Sequence, residues 1–347
     1  MLILGIESSC DDTSAALVKA DKDGFFVLSE KTASQIEVHK KYGGVVPEIA
    51  GRKHAENILP VIEEVLKNQP KPEVICVTSG PGLITGLLVG VEAAKSLSYL
   101  WNIPLISVNH INGHIHSVEL KPEKTEIQFP AVCLVVSGGH TELILMKSHN
   151  EFELIGKTRD DAVGETFDKI AKLIGFDYPG GAKISKTAEG GNTKAIKFPR
   201  PMIKEGYEFS FAGLKTAALY WLHDNASEVP NSHPKTYSLE PKALSDFCAS
   251  FEQTIVDVLI TKTMRAAKAH QPKTIILAGG VSANKKLRNT LQEEIAKKFP
   301  DTKIYIPEMK YTMDNAAMIA VAGYYSAINK EYTDWNNVEA NPNWRVA

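Results

Sequence analysis

Two stretches far apart in this chain repeat one local pattern. "GIESSCDDTSAALV" (5–18) and "VVSGGHTELILM" (135–146) both read as strand, small polar turn, strand. "VICVTSGPG" (74–82) and "TIILAGGVSAN" (274–284) both read as a buried strand, a Gly/Ser turn and then a helix. A sequence that repeats itself in this way is confined to two related α/β halves, each an antiparallel hairpin feeding a mixed sheet. A gap between two such halves is where a ligand is expected. The remaining pattern agrees. "HAENILPVIEEVLKNQ" predicts an amphipathic helix kinked at Pro60, "GLLVGVEAAKSLSYLW" a second helix, and "IPLISVNH" a buried strand. Residues 223–242 are polar and poor in pattern, and read as a surface excursion before a long helix that runs to His270.

The 347 residues suggest about two domains, and 44% hydrophobic with 23% charged residues fits a globular protein with a substantial core. A net charge of −2 makes no electrostatic case for binding nucleic acid unaided, so such a partner requires a local basic patch or a helper protein. The start "MLILGIESSC" has neither the basic region nor the cleavage site of a signal peptide, and no apolar run is long enough to span a bilayer. Cys10, Cys76, Cys133 and Cys248 form no CxxC pair, which points to a reduced, cytoplasmic setting.

Three Gly/Ser-rich turns follow strands, at 78–86, 136–142 and 277–284. None is a Walker loop, and "GPGLITG" misses the dinucleotide spacing by one residue. Backbone N–H groups in such turns can still cradle phosphate, with Ser137, Gly138 and Gly139 offering close approach and Gly279, Gly280 and Asn284 a wall for adenine or ribose. Tight turns alone would also explain these glycines.

"VNHINGHIHS" (108–117) places His110 and His114 four apart, on one face of a helix, where both reach one ion. A peptidase needs a glutamate after the first histidine as general base, and Ile111 stands there. Buried neutral histidines that satisfy carbonyls are the alternative. A metal wants a third ligand, and Asp314, at the start of an Ala-rich helix, is a candidate whose other role is to complement the helix dipole. His116 points to another face. Asp11 and Asp12 stand at a turn as further acids, and Asp161, Glu165 and Asp168 share one helical face that could line a ligand site.

Taken together, "GIESSCDDT", "HKKYGGVVPEIAGRKH", "SGPGLITGLLVG", "VNHINGHIHS", "VSGGHTEL", "DDAVGETFDKIAKLIG", "YPGG", "FSFAGLKTA", "LAGGVSAN" and "TMDNAAMIA" resemble the TsaD family, the bacterial branch of a universal tRNA-modification family. The resemblance runs to about residue 325. It implies an α/β fold of the actin, heat-shock ATPase and sugar-kinase type: two ribonuclease-H-like lobes around a nucleotide and metal cleft. Lobes of 1–115 with a C-terminal helix over about 314–347, and of 116–313, are expected. The implied activity is an acyltransferase that moves threonylcarbamoyl from threonylcarbamoyl-AMP to N6 of the adenosine beside the anticodon, in tRNAs reading codons that begin with A.

By the same resemblance, the metal ligands match His110, His114 and Asp314, and the adenylate-binding positions match Val136, Ser137, Gly138, Gly139, His140, Asp168, Gly181 and Asn284. Ser185 stands where some relatives carry an acid, Ala182 replaces the usual proline, and Ala212 replaces a common serine. Asp11 or Asp12 is the expected group to orient or deprotonate the amine. Imidazole plus carboxylate suits iron or zinc, and the resemblance favours Fe2+ over Zn2+. ATP, ADP or AMP would fit the same cleft. Implied partners are tRNA, TsaB-like and TsaE-like subunits, and a TsaC-like synthetase that supplies the anhydride; no membrane is involved. Lys40, Lys41, Arg52 and Lys53 are candidates for tRNA phosphates. A small-molecule kinase of the same fold, a zinc endopeptidase and a nucleotide-dependent scaffold are the competing readings.

Overall fold

The structure, a computed structural model, describes residues 1–346 except Pro122, Asn231, His233 and Pro234. The chain runs β1 Leu2–Glu7, β2 Asp12–Asp21, β3 Gly24–Ser34, α1 Ile36–Lys40, α2 Pro47–Leu66, β4 Val74–Gly80, α3 Ile84–Trp101, β5 Leu105–Asn109 and α4 His110–His116. It continues with β6 Ala131–Val136, β7 Thr141–Ser148, β8 Glu151–Lys157, α5 Val163–Leu173, α6 Gly181–Ala188 and α7 Ala212–Asn225. The short β9 Ser227–Glu228 and β10 Tyr237–Ser238 precede α8 Pro241–His270, β11 Thr274–Ala278, α9 Lys285–Lys298, β12 Lys303–Tyr305 and α10 Ala316–Ile328. No helix of the described residues is long and apolar enough to cross a membrane.

Two five-stranded sheets have orders β3-β2-β1-β4-β5 and β12-β11-β6-β7-β8. Read from the other edge, the second order matches the first strand for strand, which is the duplication seen in the sequence. β1 pairs antiparallel with β2 and parallel with β4, and β11 pairs parallel with β6. β3 is an edge strand whose residues alternate towards solvent, so it lacks the apolar run that announces β1 and β2. Residues 223–242 hold the small β9–β10 ladder, while Asn231, His233 and Pro234 within that stretch lie outside the described residues. Pro60 sits inside α2, which continues through it to Leu66.

The chain divides into two compact units: 1–129 with 146–153 and 305–347, and 130–145 with 154–304. The first unit passes the expected limit of 115 because Glu119 accepts from Tyr325 Oη at 2.5 Å and Leu120 joins the core under α10. The helix expected over 314–347 is α10 alone, and Ala347 lies outside the described residues.

In the first unit, strand alternation sends Leu4 and Ile6 to a core with α2 and α3, and Ile3 to a core with α10. Gly5 faces α10 too. A Cβ there would stand 2.1 Å from the Ala316 carbonyl oxygen, so only glycine lets this helix lie so close to the strand. Two side chains fix the helix start: Asn315 caps Met318 N at 2.9 Å, and Ser14 Oγ accepts from Ala316 N at 3.1 Å. Gly113 repeats the device on α4, where a Cβ would meet Ile319 Cδ1 at 2.7 Å. The helix-weakening glycine is therefore the point at which α4 crosses α10. Gly5→Ala is expected to lower stability by about 1–3 kcal/mol, the usual range for overpacking, read as a lower urea midpoint with an unchanged m value.

Candidate metal centre and adenylate turns

The crossing of α4 and α10 brings three side chains together. His110 is the first residue of α4, whose N-cap Asn109 accepts from Ile111 N at 2.9 Å. His114 lies one turn on, its ring 4.6 Å from that of His110. Asp314 precedes the α10 cap. Its Oδ1 is 3.5 Å from His110 Nε2 and 3.2 Å from His114 Nε2. The three donors form a group able to hold one ion.

His110 Nδ1 is held by Glu7 Oε2 at 2.9 Å, with Ser9 Oγ at 3.2 Å. Glu7, fully buried, also accepts from Thr78 Oγ1 and Ser9 N, each at 2.6 Å. This is the carboxylate–imidazole pairing that fixes a ligating histidine's tautomer and points its other nitrogen outward. Glu7 stands within "GIESSCDDT", where nothing in the local pattern names His110 as its partner. A lone acid at the end of an otherwise apolar strand is the signal that marks it.

The electrostatics follow from the geometry. Burial pushes the His110 pKa down, but the charges of Glu7 and Asp314 and the Glu7 bond outweigh it and lift it to about 9. Burial pushes Glu7 up, and the charge and bond of His110 reverse this to a net lowering. His114 is 0% exposed, and neither of its ring nitrogens has a hydrogen-bond partner among the described residues. Each unsatisfied buried polar atom costs roughly 1–3 kcal/mol, and a cation at Nε2 removes one such cost. Two imidazoles and one carboxylate, with Glu7 bracing His110 from behind, therefore fit a divalent metal.

Asp12, at the head of β2, is 8% exposed, and its Oδ1 has no hydrogen-bond partner among the described residues. Burial raises its pKa most, Ser34 counteracts, and Asp11, Asp314 and Glu7 add to the rise, to about 7. Asp11 stays half-exposed in the β1–β2 turn.

In the second unit, Val136 to His140 follow the parallel strand β6 and Asn284 follows its neighbour β11, at the carboxyl ends that are the usual ligand side of such sheets, while Asp168 lies on α5 and Gly181 starts α6. The turn after Val136 is tied to α5: Gly164 N donates to Ser137 O at 3.1 Å and Glu165 N to Gly138 O at 3.2 Å. Ser137 N is used within the turn, donating to His140 O at 2.8 Å. Gly138 and Gly139 are exposed, and a Cβ on either would meet nothing within 4 Å. No packing demand requires glycine at either position. Gly279, by contrast, has φ +87°, and its Cβ would lie 2.4 Å from Val136 O. Gly180 is likewise a packing glycine against Ala171, whereas Gly181 meets only ordinary contacts at the start of α6.

Two predicted ligand contacts are structural junctions. Asp168 Oδ1 accepts from Gly180 N at 2.7 Å. Asn284 Oδ1 caps α9 at Leu287 N, 2.8 Å, while its Nδ2 donates to Ser185 Oγ at 2.9 Å and Glu252 Oε1 at 2.7 Å. Glu252, 4% exposed, escaped the sequence reading because it lies on the buried face of α8. The acidic face expected around α5 is largely neutralised, since Asp161 pairs with Lys169 at 2.9 Å and Lys215 at 2.5 Å, and Glu165 pairs with Lys169 at 2.8 Å. Of the candidate phosphate contacts, Arg52 and Lys53 are each paired with an acid on α2, Glu48 and Glu56, at 2.6 Å.

A family model described as TsaD: tRNA N6-adenosine threonylcarbamoyltransferase matches residues 26–321. The chain belongs to the TsaD family. A Bacillus subtilis (strain 168) member named tRNA N6-adenosine threonylcarbamoyltransferase is 51% identical over 328 residues, 93% of this chain and 90% of the relative. A Listeria innocua protein of the same name is 48% identical over 348 aligned positions, 98% of this chain and 95% of the relative. Among solved structures, HypF from T. kodakarensis aligns with TM-score 0.61 at 14% identity, over 97% of this chain and 49% of that one. A ROK family protein from Streptococcus pneumoniae, in complex with sucrose, aligns with TM-score 0.51 at 13% identity, over 95% of this chain and 100% of that one. These likenesses show the fold alone: α/β with two ribonuclease-H-like lobes, of the actin and sugar-kinase class, as expected of a TsaD family member.

For this TsaD family chain, Glu7→Gln is expected to weaken divalent-metal affinity about 10–100-fold, measured by competition with a chromophoric chelator. Asp12 binds its proton more tightly folded than unfolded, so its contribution to stability falls as pH rises from about 4 to about 7. Asp12→Asn in the metal-free chain should remove that slope, seen as a urea midpoint that gains on the parent's across the same window.

Proposed function

We propose that this chain transfers the threonylcarbamoyl group of threonylcarbamoyl-AMP to N6 of the adenosine beside the anticodon in tRNAs reading codons that begin with A. Transferase activity in tRNA modification agrees with the names of its TsaD relatives. The observation that carries the reading is the convergence of His110, His114 and Asp314, braced by a buried Glu7.

The substrate is a mixed carbamic–phosphoric anhydride, so AMP is already a good leaving group and no strong nucleophile has to be generated. The chain's task is to hold the anhydride, match its charge and bring an amine in line. Val136, Ser137, Gly138, Gly139 and His140 cradle the adenylate phosphate, with the exposed glycines giving closest approach. Asp168, Gly181, Ser185 and Asn284 hold the nucleoside, the hydrogen bonds of Asp168 and Asn284 keeping that wall in shape. His110, His114 and Asp314 would hold one divalent ion, Fe2+ in preference to Zn2+, which would supply Lewis-acid polarisation and a template.

N6 attacks the carbamoyl carbon, the C–O bond to phosphate breaks, AMP departs, and the proton lost by N6 passes to Asp12. A carboxyl whose pKa is about 7 exchanges a proton readily at neutral pH. Asp11, beside it in the turn, orients the amine. ATP, ADP or AMP would occupy the same adenylate cradle. With a net charge of −2, the chain recruits tRNA together with TsaB-like and TsaE-like subunits, and a TsaC-like synthetase supplies the anhydride in the cytoplasm.

The test uses unmodified tRNA, threonine, bicarbonate and ATP with the partner set, and nucleoside mass as readout. His110→Ala and His114→Ala chains are expected to lose modification by at least about 100-fold while keeping the parent's circular dichroism. An active, metal-free His110→Ala chain would remove the mechanism. Phosphorylation of a sugar by the isolated chain would favour the kinase reading instead.

A further inference from the structure

α4 carries a third histidine with its own surroundings. His116 is two residues beyond His114, about 200° further round the helix, so it faces away from Asp314. It is 1% exposed. Its Nε2 donates to the His149 carbonyl at 3.1 Å, and its Nδ1 stands 2.6 Å from Glu119 Oε1. Glu119 is 4% exposed, and its second oxygen accepts from Tyr325 Oη at 2.5 Å. The His149 ring stacks on Tyr325 at 3.7 Å and 5°, and its buried Nδ1 has no hydrogen-bond partner among the described residues.

One nitrogen from each of these histidines and one Glu119 oxygen lie within 4.8 Å of one another. All four residues belong to the first unit. Two imidazoles and a carboxylate are a common zinc donor set, with a fourth position left for water. The supporting contacts are those a metal site uses: a carbonyl that fixes the tautomer of His116, a phenol that orients Glu119, and a stacked ring that fixes His149. An ordinary buried salt bridge would account for His116 and Glu119, but it leaves the orphaned His149 nitrogen unexplained.

We propose that His116, Glu119 and His149 form a second divalent-cation site of zinc type, separate from the His110, His114 and Asp314 group. Its role is structural, tying residues 146–153 to α4 and α10. The site stands on these side chains alone and does not depend on the transferase reading.

The test is made in the full-length chain carrying His114→Ala, which removes the first site. Chelator-treated protein is titrated with Zn2+ by calorimetry, and the thermal midpoint is followed with and without Zn2+. One ion per chain and a zinc-dependent rise in Tm are expected, and adding His149→Ala or Glu119→Gln should abolish both. His149 is half-exposed and Glu119→Gln keeps the side-chain shape, so either variant can be checked for folding by circular dichroism. Absence of zinc binding in the His114→Ala chain overturns the proposal, as does binding that survives both further substitutions.

Discussion

The candidate centre depends on how closely one Ala-rich helix lies against one strand. Gly5 admits the backbone of α10, and Gly323 admits Cys76, whose Sγ would stand 2.3 Å from a Cβ there. With no side chain between helix and strand, the segment before α10 arrives beside α4, which is admitted in turn by Gly113. Asp314 meets two histidines two hundred residues earlier in the chain because three glycines remove the atoms that would keep the elements apart. Each glycine lowers local propensity, and packing more than offsets the loss.

Charge is then arranged around this geometry. Glu7 is a fully buried carboxylate, a placement that is costly unless it is hydrogen-bonded. Ser9, Thr78 and His110 supply those bonds. The charges of Glu7 and Asp314 raise the His110 pKa, and His114, whose Nε2 lies 3.2 Å from Asp314 Oδ1, makes no hydrogen bond through either ring nitrogen among the described residues. Buried polar groups that are satisfied on one side and open on the other are the expected mark of a site, since a purely structural network closes on itself.

The second unit uses the same sheet order differently. Its turns gather at the ends of β6 and β11, and its glycines divide into two kinds. Gly180 and Gly279 are forced by packing or backbone angle, and Gly138 and Gly139 by neither. Only the second kind argues for a ligand. HypF and the ROK protein share this architecture at 13–14% identity, so the fold alone does not select a chemistry. The features that set this chain's proposed chemistry apart are the histidine pair, its distant aspartate and the open glycine turn.

The repeated strand–turn–strand pattern determined the two-sheet α/β architecture by itself, because alternation and apolar runs are local properties. The HxxxH spacing placed His110 and His114 on one face of α4, for the same reason. Only the tertiary structure decided that Glu7 braces His110, that Asn284 joins Ser185 to Glu252, that lysines neutralise the acids around α5, and that His116 has a separate cluster. Those facts rest on pairs such as Thr78 with Glu7, 71 residues apart, and Ala316 with Ser14, 302 apart. No local pattern encodes a partner at that distance. It appears once packing has brought the elements together.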